Sequence, residues 1–215
     1  MTFSLGSTPR SLVKYNNNSI SAITSTGLTS GAMTLIKEQT ASSSATISFV
    51  DGTSDVVLDS TYPIYLFKYI NVHPATDSAN FTFNMSADTG SNYNVTKTTT
   101  FFRPYHAEDD SVTDFAYDTS NDLAQSTAFQ RLLESAGNDA DQSCSGLLQL
   151  FDPSSTTFVK HFISNNNGSL AADYSINNYT AGYGNTTSAV DAVQFKFSSG
   201  NIDSGTFKLY GIKDS

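Results

Sequence analysis

Short runs of alternating apolar and polar residues recur along this chain between turn-forming residues, and such period-two runs predict strands. The strongest is Ile64 to Val72 (IYLFKYINV). Its alternate sets are Ile64, Leu66, Lys68, Ile70, Val72 and Tyr65, Phe67, Tyr69, Asn71. Both sets are largely apolar, whereas a half-exposed antiparallel strand would show one polar face. This strand is therefore expected to be covered on both sides, by a helix or by a neighbouring subunit. Tyr65, Phe67 and Tyr69 become candidate interface residues. Further strands are expected at 32–37, 45–50, 80–85, 93–102, 146–151, 157–163, 189–197 and 206–212. In 189–197, Val193, Phe195 and Phe197 share a face while Gln194 and Lys196 point away, the pattern of one-sided burial. The first two strands are placed to close a hairpin, and Asp51-Gly52 marks the turn after them.

One stretch departs from period two. From Asp122 to Ala136 the apolar residues Phe129, Leu132, Leu133 and Ala136 fall at i, i+3, i+4 and i+7, the stripe of an amphipathic helix. Thr119 or Ser120 supplies a cap and Gly137 a stop, so a helix is predicted around residues 120–136. It is expected to lie over Ile64 to Val72. Strand spacing with turn signals between gives the fold class: all-β, an antiparallel β-sandwich of jelly-roll type with this one helix inserted. Residues 1–30, poor in charge and rich in Ser, Thr and Asn, read as an N-terminal extension or arm, and 31–215 as the sandwich domain.

The C-terminal stretch Ser198 to Lys213 (SSGNIDSGTFKLYGIK) reads as the turn and last strand of a hairpin. Ile202, apolar between Gly200 and Gly205, is expected to be a loop plug folded onto the sandwich edge. This stretch resembles a recurrent C-terminal hairpin of structural proteins of tailed bacteriophages, particularly those of marine bacteria. The likeness extends through TYPIYLFKYINVHPATD (Thr61 to Asp77), SSTTFVKHFIS (Ser154 to Ser164) and AGYGNTTSAVDAVQFKF (Ala181 to Phe197). It carries no catalytic motif. The resemblance implies a virion component, and a capsid decoration or cement protein on the outer head surface is the expectation within that class. The alternative is a tail-fibre or head-fibre module that recognises a cell-surface glycan. Cyclic symmetry, common in such assemblies, implies a homotrimer bound to the major capsid protein or another virion protein.

Composition fits a protein that meets other protein. Of 215 residues only 14% are charged, while Phe (15) and Tyr (11) are abundant and rule out a disordered chain. The net charge of −9 and the scattering of eleven Lys and Arg residues exclude a nucleic-acid footprint. The chain's start lacks a signal-peptide core and no apolar run reaches membrane-spanning length. The expected location is the virion, assembled in the host cytoplasm and released by lysis, with no membrane partner. The single cysteine, Cys144, excludes an internal disulfide.

The search for chemistry gives little. His73, His106 and His161 show no zinc spacing, and neither a GxSxG elbow nor a phosphate-binding glycine motif occurs, so no enzyme and no cofactor are expected. Glu108-Asp109-Asp110 and Asn138 to Asp141 offer oxygen ligands without the EF-hand pattern. Asp139 and Asp141 are the weak Ca²⁺ candidates, and solvated loop charge is the simpler reading. The Tyr-rich polar segment Tyr174 to Tyr183 (YSINNYTAGY) reads as a loop. Its Tyr174, Tyr179 and Tyr183 are candidates for a subunit interface or, in the alternative reading, for stacking on a sugar ring.

Overall fold

The structure, a computed structural model, describes residues 32–213. The extension expected over 1–30 lies outside the described residues. Twelve strands follow one another: β1 (Met33–Ser44), β2 (Ile47–Val50), β3 (Ile64–Pro74), β4 (Ala79–Ser86), β5 (Lys97–Ala107), β6 (Thr113–Tyr117), β7 (Gln130–Ala136), β8 (Cys144–Phe151), β9 (Lys160–Ser169), β10 (Tyr174–Gly184), β11 (Ala192–Phe197) and β12 (Ile202–Ile212). They form two antiparallel sheets, eight-stranded β1-β12-β3-β8-β9-β10-β5-β6 and four-stranded β2-β11-β4-β7. The expected all-β sandwich is present.

Its core is aromatic, because alternate residues of facing strands point at each other across the sandwich. Phe195 on β11 sits at the centre, with ring centroids 5.7 Å from Phe67, Tyr69 and Phe207 and 5.9 Å from Phe81. Tyr65, Phe67 and Tyr69 are all buried. A bulge changes the parity of β3 beyond Tyr69. Asn71 takes φ 51°, the register shifts before Val72, and Val72 joins the buried set in place of Asn71.

The helix expected over 120–136 does not form; the chain reaches Gln130–Ala136 as strand β7, paired with β4. Leu132 is the extra residue of a bulge: Phe81 pairs with Leu133 and Thr82 with Arg131. Leu132 and Leu133 are consequently both buried. A bulge interrupts period two and leaves adjacent apolar residues, which imitate helical spacing.

Two expected hairpins are corners instead. β1 and β2 lie in different sheets, and so do β11 and β12. The chain turns between sheets at Gly200, whose φ of 67° and close approach to Thr76 leave no room for a side chain. Ile202 is no loop plug. It opens β12, fully buried, pairing with Pro74 on one side and Ser44 on the other. Gly205 (φ 142°) then bends β12 against Val72 and resets the register.

The segment Tyr174 to Tyr183, expected as a loop, is a strand in the interior of the large sheet. β10 pairs with β9 and β5 along its length. In β9 the run Asn165-Asn166-Asn167 alternates out, in, out. The inward Asn166 is tolerated because the Tyr69 hydroxyl donates to its Oδ1.

Candidate functional site

The large sheet has one face against the small sheet and one face outside. Strand alternation decides which residues look outward. On β3 they are Ile64, Leu66 and Lys68; on β12, Lys208, Tyr210 and Ile212; on β8, Leu147, Gln149 and Phe151. On β9, β10 and β5 the outward residues include His161, Ile163, Tyr179, Ala181, Tyr183, Thr100 and Phe102. Nothing in residues 32–213 covers this face. Leu35 is 48% exposed, Ile163 50%, Met33 54% and Phe115 69%. An apolar face this broad is unusual on a surface that meets only water.

The face is also nearly free of acid. The chain carries 20 Asp and Glu residues and a net charge of −9. Of the acids only Glu38 belongs to these outward rows, and it is paired to Lys208 at 2.9 Å. Lys68 lies beside Lys208 in the register and pairs with no carboxylate among the described residues. The outer side of the small sheet, by contrast, is polar: Ser48, Gln194 and Lys196 are half-buried there, and Thr82 is buried with its hydroxyl donating to the Lys196 carbonyl.

Two features give the face relief. A hollow of about 510 Å³ lies over β9, β10 and β5, edged by Phe151, His161 and Tyr183 and floored by Ala181, Thr98 and Thr100. Next to it the rings of Phe102 and Tyr179 stack at 4.8 Å and 8°, with Phe115 edge-on to Phe102. Tyr179 and Tyr183, two of the residues singled out in the sequence, therefore do lie on the outward face.

The other candidates fall elsewhere. Tyr65, Phe67 and Tyr69 are sandwich core, so they are withdrawn as interface residues; the uncovered side of β3 is Ile64, Leu66 and Lys68. Tyr174 belongs to the inner side, where it stacks on Tyr105 at 5.7 Å. Together with Arg103, Glu134 and Ser135 these rings line a cleft of about 340 Å³ beyond the edge of the small sheet. There the Arg103 guanidinium pairs with Glu134 and, at 3.2 Å, with Asp118, while Asn121 donates to both carboxylates at 2.8 Å. This network ties the 118–126 segment and β5 to β7. No sequence motif announces it, since its members are scattered over 103–134.

Asp139 and Asp141 sit exposed in the turn between β7 and β8, where the Asp139 amide donates to Gln142 Oε1 at 3.2 Å. No three His, Cys, Asp or Glu side chains among the described residues gather as a metal site. The three histidines occupy three different strands. His73 Nδ1 is 2.8 Å from the Gln142 carbonyl, His106 Nε2 is 3.0 Å from Asp110, and His161 packs near Tyr183. The inner faces hold two buried lysines. Lys97 donates to Asn84 Oδ1 and to the Val95 carbonyl, and burial lowers its pKa to about 7.

No family model, curated protein or solved structure matches this chain.

Proposed function

We propose that this chain is a non-enzymatic structural protein of a tailed-phage particle, a decoration or cement protein on the outer surface of the head. One observation carries the assembly role: the outward face of the eight-stranded sheet is apolar and almost acid-free in a chain of net charge −9. A face of this kind gains stability when another protein covers it. The acidic remainder of the surface keeps the molecule soluble before it assembles. The phage context rests on the resemblance of the C-terminal stretch and the three upstream segments.

The strand order supports the jelly-roll reading. If the β5–β6 and β9–β10 excursions are set aside, the sheets reduce to β1-β12-β3-β8 and β2-β11-β4-β7. Successive strands of that reduced set cross between the sheets at every step except β4 to β7, which stay together in the small sheet, and this is the double Greek key of a jelly roll. The excursions both add to the large sheet, widening its outward face from four strands to eight. Their addition is what makes this a broad adhesive surface.

Purified virions provide the test. Gel densitometry and immunogold labelling of washed particles are expected to show many copies distributed over the head. Absence from washed particles would remove the role. A fibre-tip glycan receptor is the second reading, favoured by the Phe102–Tyr179 stack with Asn165 and Asn177 beside it. It predicts few copies at one pole of the particle, and binding of the purified protein to host lipopolysaccharide.

A further inference from the structure

The outward face is complementary to itself. β8 and β9 form its middle, and the strand register aligns residues in rows across it. One row runs Leu35, Tyr210, Leu66, Gln149 and then Ile163, Ala181, Thr100. Its first half is bulky; beyond Ile163 it is small, and there lies the hollow of about 510 Å³. The adjacent row runs Glu38, Lys208, Lys68, Leu147 and then Asn165, Tyr179, Phe102, Tyr117. Its first half carries two cations, its second half a stack of aromatic rings.

A two-fold axis lying in the face, parallel to the strands and between β8 and β9, reverses strand order and preserves rows. It sets Leu66 over Ala181 and Tyr210 over Thr100, bulk into hollow. It also sets Lys68 over Tyr179, whose hydroxyl oxygen can accept from an ammonium, and Lys208 over Phe102, the neighbour on which the Tyr179 ring stacks. Gln149 meets Ile163 beside the axis. The one carboxylate in these rows, Glu38, is held by Lys208 at the outer end, where it comes over Tyr117, whose hydroxyl donates to Asp122. The middle of the face carries no carboxylate that would repel a second copy of this chain of net charge −9.

We propose that a second copy of this chain covers this face, the two eight-stranded sheets stacking back to back about that two-fold. The rows span roughly 35 Å by 20 Å from strand spacing and rise, on the order of 700 Å² per partner and close to the ~800 Å² of a standard interface. The contact is isologous and therefore closed, so it makes a dimer rather than an open chain. It rests on the reading of this face as an assembly surface and names its first occupant.

Sedimentation equilibrium of the purified full chain is expected to give a dimer at about 100 μM, well above the dissociation constant of a standard-size interface. Ile163→Glu, half-exposed beside the axis, is expected to weaken it about 30-fold or more, the effect of losing a hot-spot side chain, with an unchanged far-ultraviolet spectrum and melting temperature. A mixture of Leu66→Cys and Ala181→Cys proteins is expected to cross-link on mild oxidation, while each alone is not. A monomer or a trimer at that concentration, or a dimer indifferent to Ile163→Glu, overturns the pairing. The two proposals fail separately. A dimer missing from washed particles keeps the pairing and removes the virion role; a monomer recovered from them does the reverse.

Discussion

The Phe195 ring of the small sheet lies 5.7 Å from the Phe67 ring of the large one, and it touches more of the aromatic cluster than any neighbour could replace. It is fully buried. Because rings from both sheets close around it, the site cannot collapse onto a smaller side chain. Phe195→Ala is expected to cost about 3–5 kcal/mol, read as a lower urea midpoint with little change in slope. Phe158, 70% exposed in the turn before β9, is the control: its alanine variant should move the midpoint by roughly 0.5 kcal/mol or less.

Lys97 makes stability rise with pH. Its ammonium is inside, donating to Asn84 Oδ1 and the Val95 carbonyl with no carboxylate beside it, and its pKa falls from 10.5 to about 7. Between those two values the unfolded chain holds a proton that the folded one has released, so protons favour unfolding there. The penalty is absent above 10.5, grows as pH falls, and is complete below about 7. The melting temperature of the wild type minus that of Lys97→Met is therefore expected to increase from pH 7 to pH 10. A difference that is flat across this window would mean that Lys97 stays charged in the fold.

The sequence made β3, β8, β11 and β12 legible, since simple alternation over six or more residues leaves few other structures. It did not reveal β7, where the Leu132 bulge disguised a strand as a helix. It hid β10 as well, because Asn, Tyr and Gly are poor strand signals when neighbouring strands supply the stability. Turn residues announce a change of direction without saying which sheet the chain enters next, and so β11 to β12 read as a hairpin. The candidate surface was half legible. Two apolar faces on β3 implied two covers, but alternation alone gives no sign of which face is core. The structure assigns Tyr65, Phe67 and Tyr69 to the inside and leaves Ile64, Leu66 and Lys68 without a cover among the described residues.

The ion network at the edge of the small sheet is expected to be a strut. Arg103 bridges Glu134 and Asp118, and removing it strands two carboxylates, of which Glu134 is the more buried. Arg103→Met should cost about 2–4 kcal/mol, less than a fully desolvated pair because a quarter of the Arg103 side chain reaches solvent. Adding Glu134→Gln to it removes the stranded charge while leaving an acceptor for Asn121. The double variant is thus expected to be more stable than the sum of the single losses by about 1 kcal/mol or more, measurable in a double-mutant cycle.

Cys144 should behave as a core residue. Its side chain is 2% exposed at the start of β8, packed where Gly168 of β9 lets Leu133 approach. Burial pushes its thiol up to about 12, so hardly any thiolate exists at neutral pH. The thiolate is the reactive form, and its scarcity adds to the lack of access. Ellman's reagent at pH 8 is therefore expected to leave the native protein unlabelled over hours and to titrate one thiol per chain once denaturant is added. Rapid labelling of the native protein would mean that the β7–β8–β9 end of the sandwich opens far more readily than its packing indicates. In that case the rate should rise in Gly168→Ala, whose added methyl would meet Leu133 and Cys144 at 2.6–3.0 Å.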